Sequence, residues 1–250
     1  MRTSPPSPRR NVPRGGRLLA ALAGLLAAAL AWAPTAAAAP HPAAADRAAP
    51  APAAGPAPVS GERGPDAVSP VLAPGDPIYS GGARCTLGFN VTDGDDVFLL
   101  TAGHCTAAGG YWYADPAETV PVGPAVLSSF PGNDYGLVRY ADPGLASRGG
   151  YTAASPYVGE RVHTVTPWTG VRSGTVTGLN VTVSYGGGVV YGLIRTSICV
   201  GGPVSGAPLF GSDGRALGIG VGGSSSCATG GTTFFQPLPE ALAATGLSLY

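Results

Sequence analysis

The stretch Leu87-Gly88-Phe89-Asn90-Val91-Thr92-Asp93-Gly94-Asp95-Asp96-Val97-Phe98-Leu99-Leu100-Thr101-Ala102-Gly103-His104-Cys105 decides the fold class. Its two runs, Leu87–Thr92 and Val97–Thr101, are rich in residues that pack well on a pleated surface. Between them Asp93-Gly94-Asp95-Asp96 supplies a glycine free to take positive φ and carboxylates that bond nearby backbone, so the spacing predicts a β-hairpin. The three aspartates also resemble a small calcium cluster, but no twelve-residue ligand loop follows, and turn solvation is the better reading. Working outward, the same texture recurs at Tyr135–Tyr140, Arg161–Thr166, Thr175–Ser184, Val189–Thr196, Ala207–Phe210, Ala216–Val221 and Thr232–Gln236. Gly186-Gly187-Gly188 turns one of these runs into the next. Short strands at this spacing, without helical periodicity, mean an all-β sandwich or barrel. Only Pro237–Gly246 reads as a helix, with proline at its start and glycine at its end.

The N-terminus carries a different signal. Arg2, Arg9, Arg10, Arg14 and Arg17 precede an apolar run from Leu18 to Ala33, and Ala36-Ala37-Ala38 offers a small-residue cleavage site. Residues 1–38 therefore read as a secretory signal, the run being shorter than the ~20 residues a spanning helix needs. Residues 39–71 are Ala- and Pro-rich and hold too few large apolar side chains to offset ordering entropy, so they read as a disordered pro-segment. Residues 72–250 form the folded domain, with barrel one over about 72–150, barrel two over about 151–250 and a Gly-, Ala- and Ser-rich junction at Asp142–Pro156. All 14 basic residues of the chain are arginine. In 72–250 seven arginines face eight aspartates and three glutamates, a mildly acidic balance that argues against nucleic acid. A secreted, extracellular monomer is expected, with no membrane association after signal removal and no cofactor.

Four cysteines, Cys85, Cys105, Cys199 and Cys227, follow this signal, so disulfides are expected. Three pairings are formally open. The nearest-neighbour one closes a loop in each half, worth about 3 kcal/mol per bridge on the loop-entropy account. A zinc site is the rival, and it lacks any C-x-x-C or H-E-x-x-H spacing.

Three separated segments carry the chemistry: His104 beside Cys105, Asp134 in Asn133-Asp134-Tyr135-Gly136-Leu137, and Ser205 in Pro203-Val204-Ser205-Gly206-Ala207-Pro208. His, Asp, Ser is one of the chain orders of a nucleophilic triad. A serine hydroxyl needs a base within hydrogen-bond reach, and an imidazole needs a carboxylate to hold its tautomer. Each residue alone has a bland reading, as a satisfied core histidine or a turn-capping carboxylate. His41 and His163 have no evident partner and are assigned no function.

At this point the chain resembles the streptogrisins, secreted bacterial serine proteases of the chymotrypsin clan. The resemblance runs from about Leu72 to Tyr250, through Cys85-Thr86-Leu87-Gly88-Phe89-Asn90-Val91, the His104 and Asp134 segments, and Tyr191-Gly192-Leu193-Ile194-Arg195-Thr196. It continues through Gly230-Gly231-Thr232-Thr233-Phe234-Phe235-Gln236-Pro237 to Leu247-Ser248-Leu249-Tyr250. It implies two six-stranded antiparallel Greek-key β-barrels with a short C-terminal helix, and a cleft between the barrels. His104 and Asp134 would come from the first barrel and Ser205 from the second. It also supports the nearest-neighbour disulfides and implies protein or peptide substrates.

Three positions depart from the family pattern. Pro203 stands where the family has a glycine whose N–H completes the oxyanion hole, and proline has no N–H. Losing one such donor typically costs about 2.7–4 kcal/mol, or ~100- to 1000-fold in rate. Val204 replaces an aspartate whose arginine partner is missing as well, since that position falls within Thr164–Val165. Val221 replaces a serine that helps hold the triad carboxylate. Val221-Gly222-Gly223 keeps the strand that pairs with the substrate backbone, and its glycines imply room for a large apolar side chain. Two functions are therefore expected to compete: a serine endopeptidase slowed by a degraded oxyanion hole, and a non-catalytic protease fold binding peptides or protease inhibitors.

Overall fold

In the computed structural model, which describes residues 70–250, the hairpin forms as the sequence predicts. β3 (Phe89–Thr92) pairs antiparallel with β4 (Val97–Thr101), Val91 facing Phe98 and Thr92 facing Val97. Asp93 Oδ1 accepts from the N–H groups of Asp95 and Asp96 at 3.0 and 2.8 Å. The Asp96 N–H first, then that of Asp95, holds this carboxyl below the usual carboxylate range. The expected signal (1–38) and nearly all of the expected pro-segment (39–71) lie outside the described residues.

Around the hairpin, the N-terminal half adds β1 (Pro77–Ser80), β2 (Ala83–Thr86), β5 (Tyr111–Tyr113), β6 (Pro121–Ser129) and β7 (Tyr135–Arg139). The chain's last strand, β14 (Ser248–Leu249), returns to pair with β3. The sheet order is β14-β3-β4-β7-β6-β5-β1-β2, a half-barrel of eight short strands where the resemblance implies six. The count differs because β14 comes from the chain's end and because Leu87-Gly88 alone separates β2 from β3; β6 meanwhile serves two neighbours in turn. It pairs with β5 at one end and β7 at the other, with register shifts at Trp112/Tyr113 and Ala125/Leu127. Such bulges bend a strand and break its ladder into short pieces. Gly123 lies at the crossing, where a Cβ would overlap the carbonyl oxygen of Arg139.

The C-terminal half closes completely. β8 (Arg161–Thr166), β9 (Gly170–Tyr185) and β10 (Gly188–Thr196) form a meander. The chain then crosses to β11 (Pro208–Gly211) beside β8 and continues through β12 (Ala216–Gly223) to β13 (Thr233–Pro237), which seals against β10. That is a six-stranded Greek-key barrel. α2 (Leu238–Thr245) follows, ending at left-handed Gly246, whose N–H bonds Leu242 O.

Each half has its own core. Ile78, Leu87, Leu99, Trp112 and Val138 fill the first, and Val162, Ile194, Ile198, Leu209, Leu217 and Phe235 fill the second. A third cluster, with Phe89, Leu100, Tyr135 and Leu137 against Phe210, Ala216 and Ile219, welds them together. The disulfides are Cys85–Cys105 and Cys199–Cys227, the nearest-neighbour pairing.

Candidate active site

Three connections set the site. The helical turn α1 (Gly103–Thr106) begins as β4 ends, which throws His104 out of the apolar strand while Cys105 ties the turn to β2 through Cys85. Asp134 stands immediately before β7, with no exposed surface, its N–H donating to Gln236 Oε1 at 2.9 Å. Gln236 Nε2 donates in turn to Glu240 Oε2 at 3.2 Å, so the second barrel and α2 also hold the aspartate loop. Ser205 occupies a turn before β11. Gly206 adopts φ +85°, and a Cβ there would overlap Thr86 O, so only glycine lets this turn approach β2. The turn is pinned by Thr86 N–H to Ser205 O (2.8 Å) and Gly206 N–H to Gly220 O (2.7 Å).

These elements bring the three predicted residues into one relay. His104 Nδ1 lies 2.8 Å from Asp134 Oδ2, and His104 Nε2 lies 2.8 Å from Ser205 Oγ. The His104 backbone N–H also donates to Asp134 Oδ1 at 2.8 Å. An ionised carboxylate only accepts, so the ring proton belongs on Nδ1 and Nε2 is left to accept from the Ser205 hydroxyl. Asp134 is buried, yet both its oxygens are bonded, which is what a buried charge requires. His104 keeps about a third of its side chain exposed, facing the cleft.

The three departures sit close by. Pro203 has no N–H to give. Among the described residues the Ser205 N–H makes no intramolecular hydrogen bond. Val204 is 4% exposed and packs in the second-barrel core with Val162, Ile198 and Leu209. Thr164 on β8 is also buried, with its hydroxyl donating to Pro208 O at 2.7 Å, so it leaves no polar group stranded. Val221 lies at a register shift between Gly220 and Gly222 and packs with Phe130 and Tyr185. It offers no donor to Asp134.

A cavity of about 260 Å³ opens beside the relay, lined by His104, Phe130, Asp134, Tyr185, Gly187 and Val221. Phe130 meets the His104 ring edge-on at 5.9 Å. The Tyr185 ring lies 2.9 Å from where a Cβ on Gly222 would stand, so the room left by that glycine is taken by tyrosine, and at Gly223 Thr232 O lies 2.7 Å from the same point. The Tyr185 hydroxyl is buried without a partner among the described residues. Its pKa is pushed up to about 12, by burial first and the Asp134 charge second, so the phenol stays protonated at neutral pH. Elsewhere between the halves, Arg84 of the first stacks over Trp168 of the second, Cζ 5.4 Å from the ring centroid. Gln236, Phe130 and Tyr185 were not legible as site residues. An aromatic beside a Pro or Gly turn looks like any core aromatic until the halves are folded together.

A half-barrel and a closed barrel, with a Ser–His–Asp relay bridging them, define the chymotrypsin-like class of serine proteases. No family-level sequence model matches the chain. Individual relatives do. Streptogrisin-A of Streptomyces griseus is 43% identical over 199 residues, 75% of this chain and 64% of its own length, so the chain spans less than two thirds of that relative. Serine protease 2 of Streptomyces fradiae is 45% identical over 175 residues, 65% of this chain and all of that protein. A solved glutamic-acid-specific serine protease, described as using a histidine triad in substrate binding, superposes with a TM-score of 0.66 at 40% identity, over 72% of this chain and 100% of its own. The chain belongs to the streptogrisin family of serine proteases.

Proposed function

We propose that the described domain is a serine endopeptidase working through an acyl-enzyme on Ser205, and that its turnover is limited by an incomplete oxyanion hole. The observation that carries this reading is the unbroken relay from Ser205 Oγ through His104 to Asp134, every link at 2.8 Å. Ser205 Oγ attacks the scissile carbonyl while His104 Nε2 takes its proton, and the imidazolium then gives that proton to the departing amine. Water hydrolyses the acyl-enzyme by the same path reversed. Asp134 holds the Nδ1 tautomer and stabilises the imidazolium. The negative charge on the carbonyl oxygen meets the Ser205 N–H, while Pro203 removes the second donor.

Substrates are proteins or peptides held in extended form along β12 at Val221, Gly222 and Gly223, with an apolar side chain seated against Phe130 and Tyr185. The histidine triad of the glutamate-specific relative finds no material here. The chain's three histidines are His41, outside the described residues, His104 in the relay, and His163 on β8 stacked on Phe210. Residues 1–38 serve export and 39–71 are a pro-segment, which makes the enzyme extracellular. Among the described residues no helix is long and apolar enough to cross a membrane. No cofactor enters the mechanism.

A second reading, a non-catalytic fold that binds peptides or protease inhibitors, draws on Pro203 and Val221, because both remove support from a relay that is otherwise whole. A fluorophosphonate probe on the oxidised, folded protein separates the two. Covalent labelling that disappears in Ser205→Ala supports the endopeptidase. Native folding with no labelling supports the binding module and overturns the proposal.

A further inference from the structure

The outer face of the second barrel carries an open hollow of about 460 Å³, away from the relay, lined by Arg161, His163, Ser173, Thr175 and Ser212 around Val162 and Gly174. Strand register explains the convergence. On β8, Arg161 and His163 are two residues apart and so project to the same side of the sheet. Their partners on β9 are Thr175 and Ser173. On the other side, the Ser212 N–H donates to Arg161 O at 3.0 Å, which brings a third hydroxyl to the rim. His163 is held by its ring, stacked on Phe210 with centroids 5.4 Å apart.

The carboxylates beside this hollow in the chain are paired elsewhere. Glu160 precedes Arg161, and Asp213 follows Ser212. Arg215 binds both, reaching Glu160 Oε1 at 2.8 Å and Asp213 Oδ2 through Nε. Glu160 Oε2 is taken as well, accepting the Tyr157 N–H at 3.1 Å. Arg161 is consequently in no ion pair among the described residues. No carboxylate lines the hollow, whereas a guanidinium, an imidazole and three hydroxyls do.

From this we infer that the hollow is a binding site for a phosphate or sulfate group. Its donors come from two strands and the turn after β11, which suits a tetrahedral oxyanion with several acceptor oxygens better than a flat carboxylate with two. The Arg161 fork supplies paired donors, and serine and threonine hydroxyls complete the shell. The hollow far exceeds the roughly 30 Å³ that one water occupies in the liquid. It has room for the group that carries the oxyanion, such as one ring of a sulfated or phosphorylated glycan. The site does not depend on catalytic competence and would tether the domain to an anionic matrix.

The test is an NMR titration of the full secreted protein at low ionic strength, following the His163 ring and the Arg161 Nε–H. The probes are inorganic phosphate, inorganic sulfate and dextran sulfate, with sodium chloride at matched ionic strength and neutral dextran as controls. Saturable shifts with the three oxyanions and none with the controls are expected. Arg161→Gln weakens binding about tenfold or more, as loss of a charge-assisted pair should. Ser212→Glu, an exposed change that places a carboxylate at the rim, abolishes it. Ser205→Ala binds as the parent does, which separates this site from the fate of the protease reading. Tighter binding of dextran sulfate than of inorganic sulfate identifies a carried group, and equal binding identifies the free ion. Shifts that fail to saturate, or an Arg161→Gln protein that binds like the parent, overturn the inference.

Discussion

The two halves contribute unequally to the same site. The N-terminal half delivers His104 and Asp134 with every hydrogen bond made: both Asp134 oxygens engaged, its N–H satisfied by Gln236, and the histidine turn anchored by a disulfide. The C-terminal half delivers Ser205 at hydrogen-bond distance on a loop that carries the apolar residues Pro203 and Val204, with Val221 beside the relay. The difference separates two requirements of acyl transfer. Proton movement needs side chains placed by turns, and that survives. Stabilisation of an oxyanion needs backbone N–H groups, and Pro203 has none to give.

The largest effect is expected from placing a charge in the serine loop of the C-terminal half. Val204→Asp would bury a carboxylate among Val162, Ile198 and Leu209 with no arginine to pair it. Thermal or denaturant unfolding should show a loss of about 3–5 kcal/mol, the scale of an unpaired buried charge. A stability equal to the parent's would mean that the loop opens to water.

Next in size is Pro203→Gly, which returns a donor and backbone freedom to the oxyanion site. Peptidase kcat/KM should rise about 100-fold, mostly in kcat, because the interaction is made only in the transition state. A natively folded variant with an unchanged rate would show that the C-terminal half limits turnover by some other obstruction. Val221→Ser sharpens the contrast at smaller scale. It places a hydroxyl in the cavity shared by Asp134 and the unpartnered Tyr185 hydroxyl, and should raise kcat a further several-fold in the Pro203→Gly background, about 1 kcal/mol for one hydrogen bond. The smallest effect is expected for Arg84→Ala, which removes the stack on Trp168 that spans the two halves. An exposed cation–π contact is worth about 0.5–1 kcal/mol, so unfolding midpoints should fall slightly with labelling of Ser205 unchanged.

Much of the C-terminal half was legible along the chain. β8 occupies Arg161–Thr166, the residues that the alternating pattern marks, because one face of that strand is buried throughout. The helix after Pro237 also ends where glycine permits a left-handed cap. The N-terminal half was harder to read. β1, β2 and β5 are three or four residues long, too short for a period of two to register. β6 begins on Pro121 and contains Pro124, residues that argue against a strand unless neighbours tolerate the missing donors. The bulges that let them do so are tertiary features.

The features readable along the chain alone are covalent or strictly local. Pro203 lacks an N–H in any fold, and Val204 and Val221 lack polar atoms whatever surrounds them. The order His104, Asp134, Ser205 and an even count of cysteines after an apparent export signal needed no coordinates either. Only the tertiary structure decided that the Tyr185 ring fills the space beside Gly222, that Gln236 reaches across to Asp134, and that Arg215 takes both carboxylates and leaves Arg161 without one. Those outcomes are competitions between groups distant in the chain, settled by the register of strands in the closed barrel. Periodicity says which face of a strand is buried, and it carries no information about which strand lies next to it.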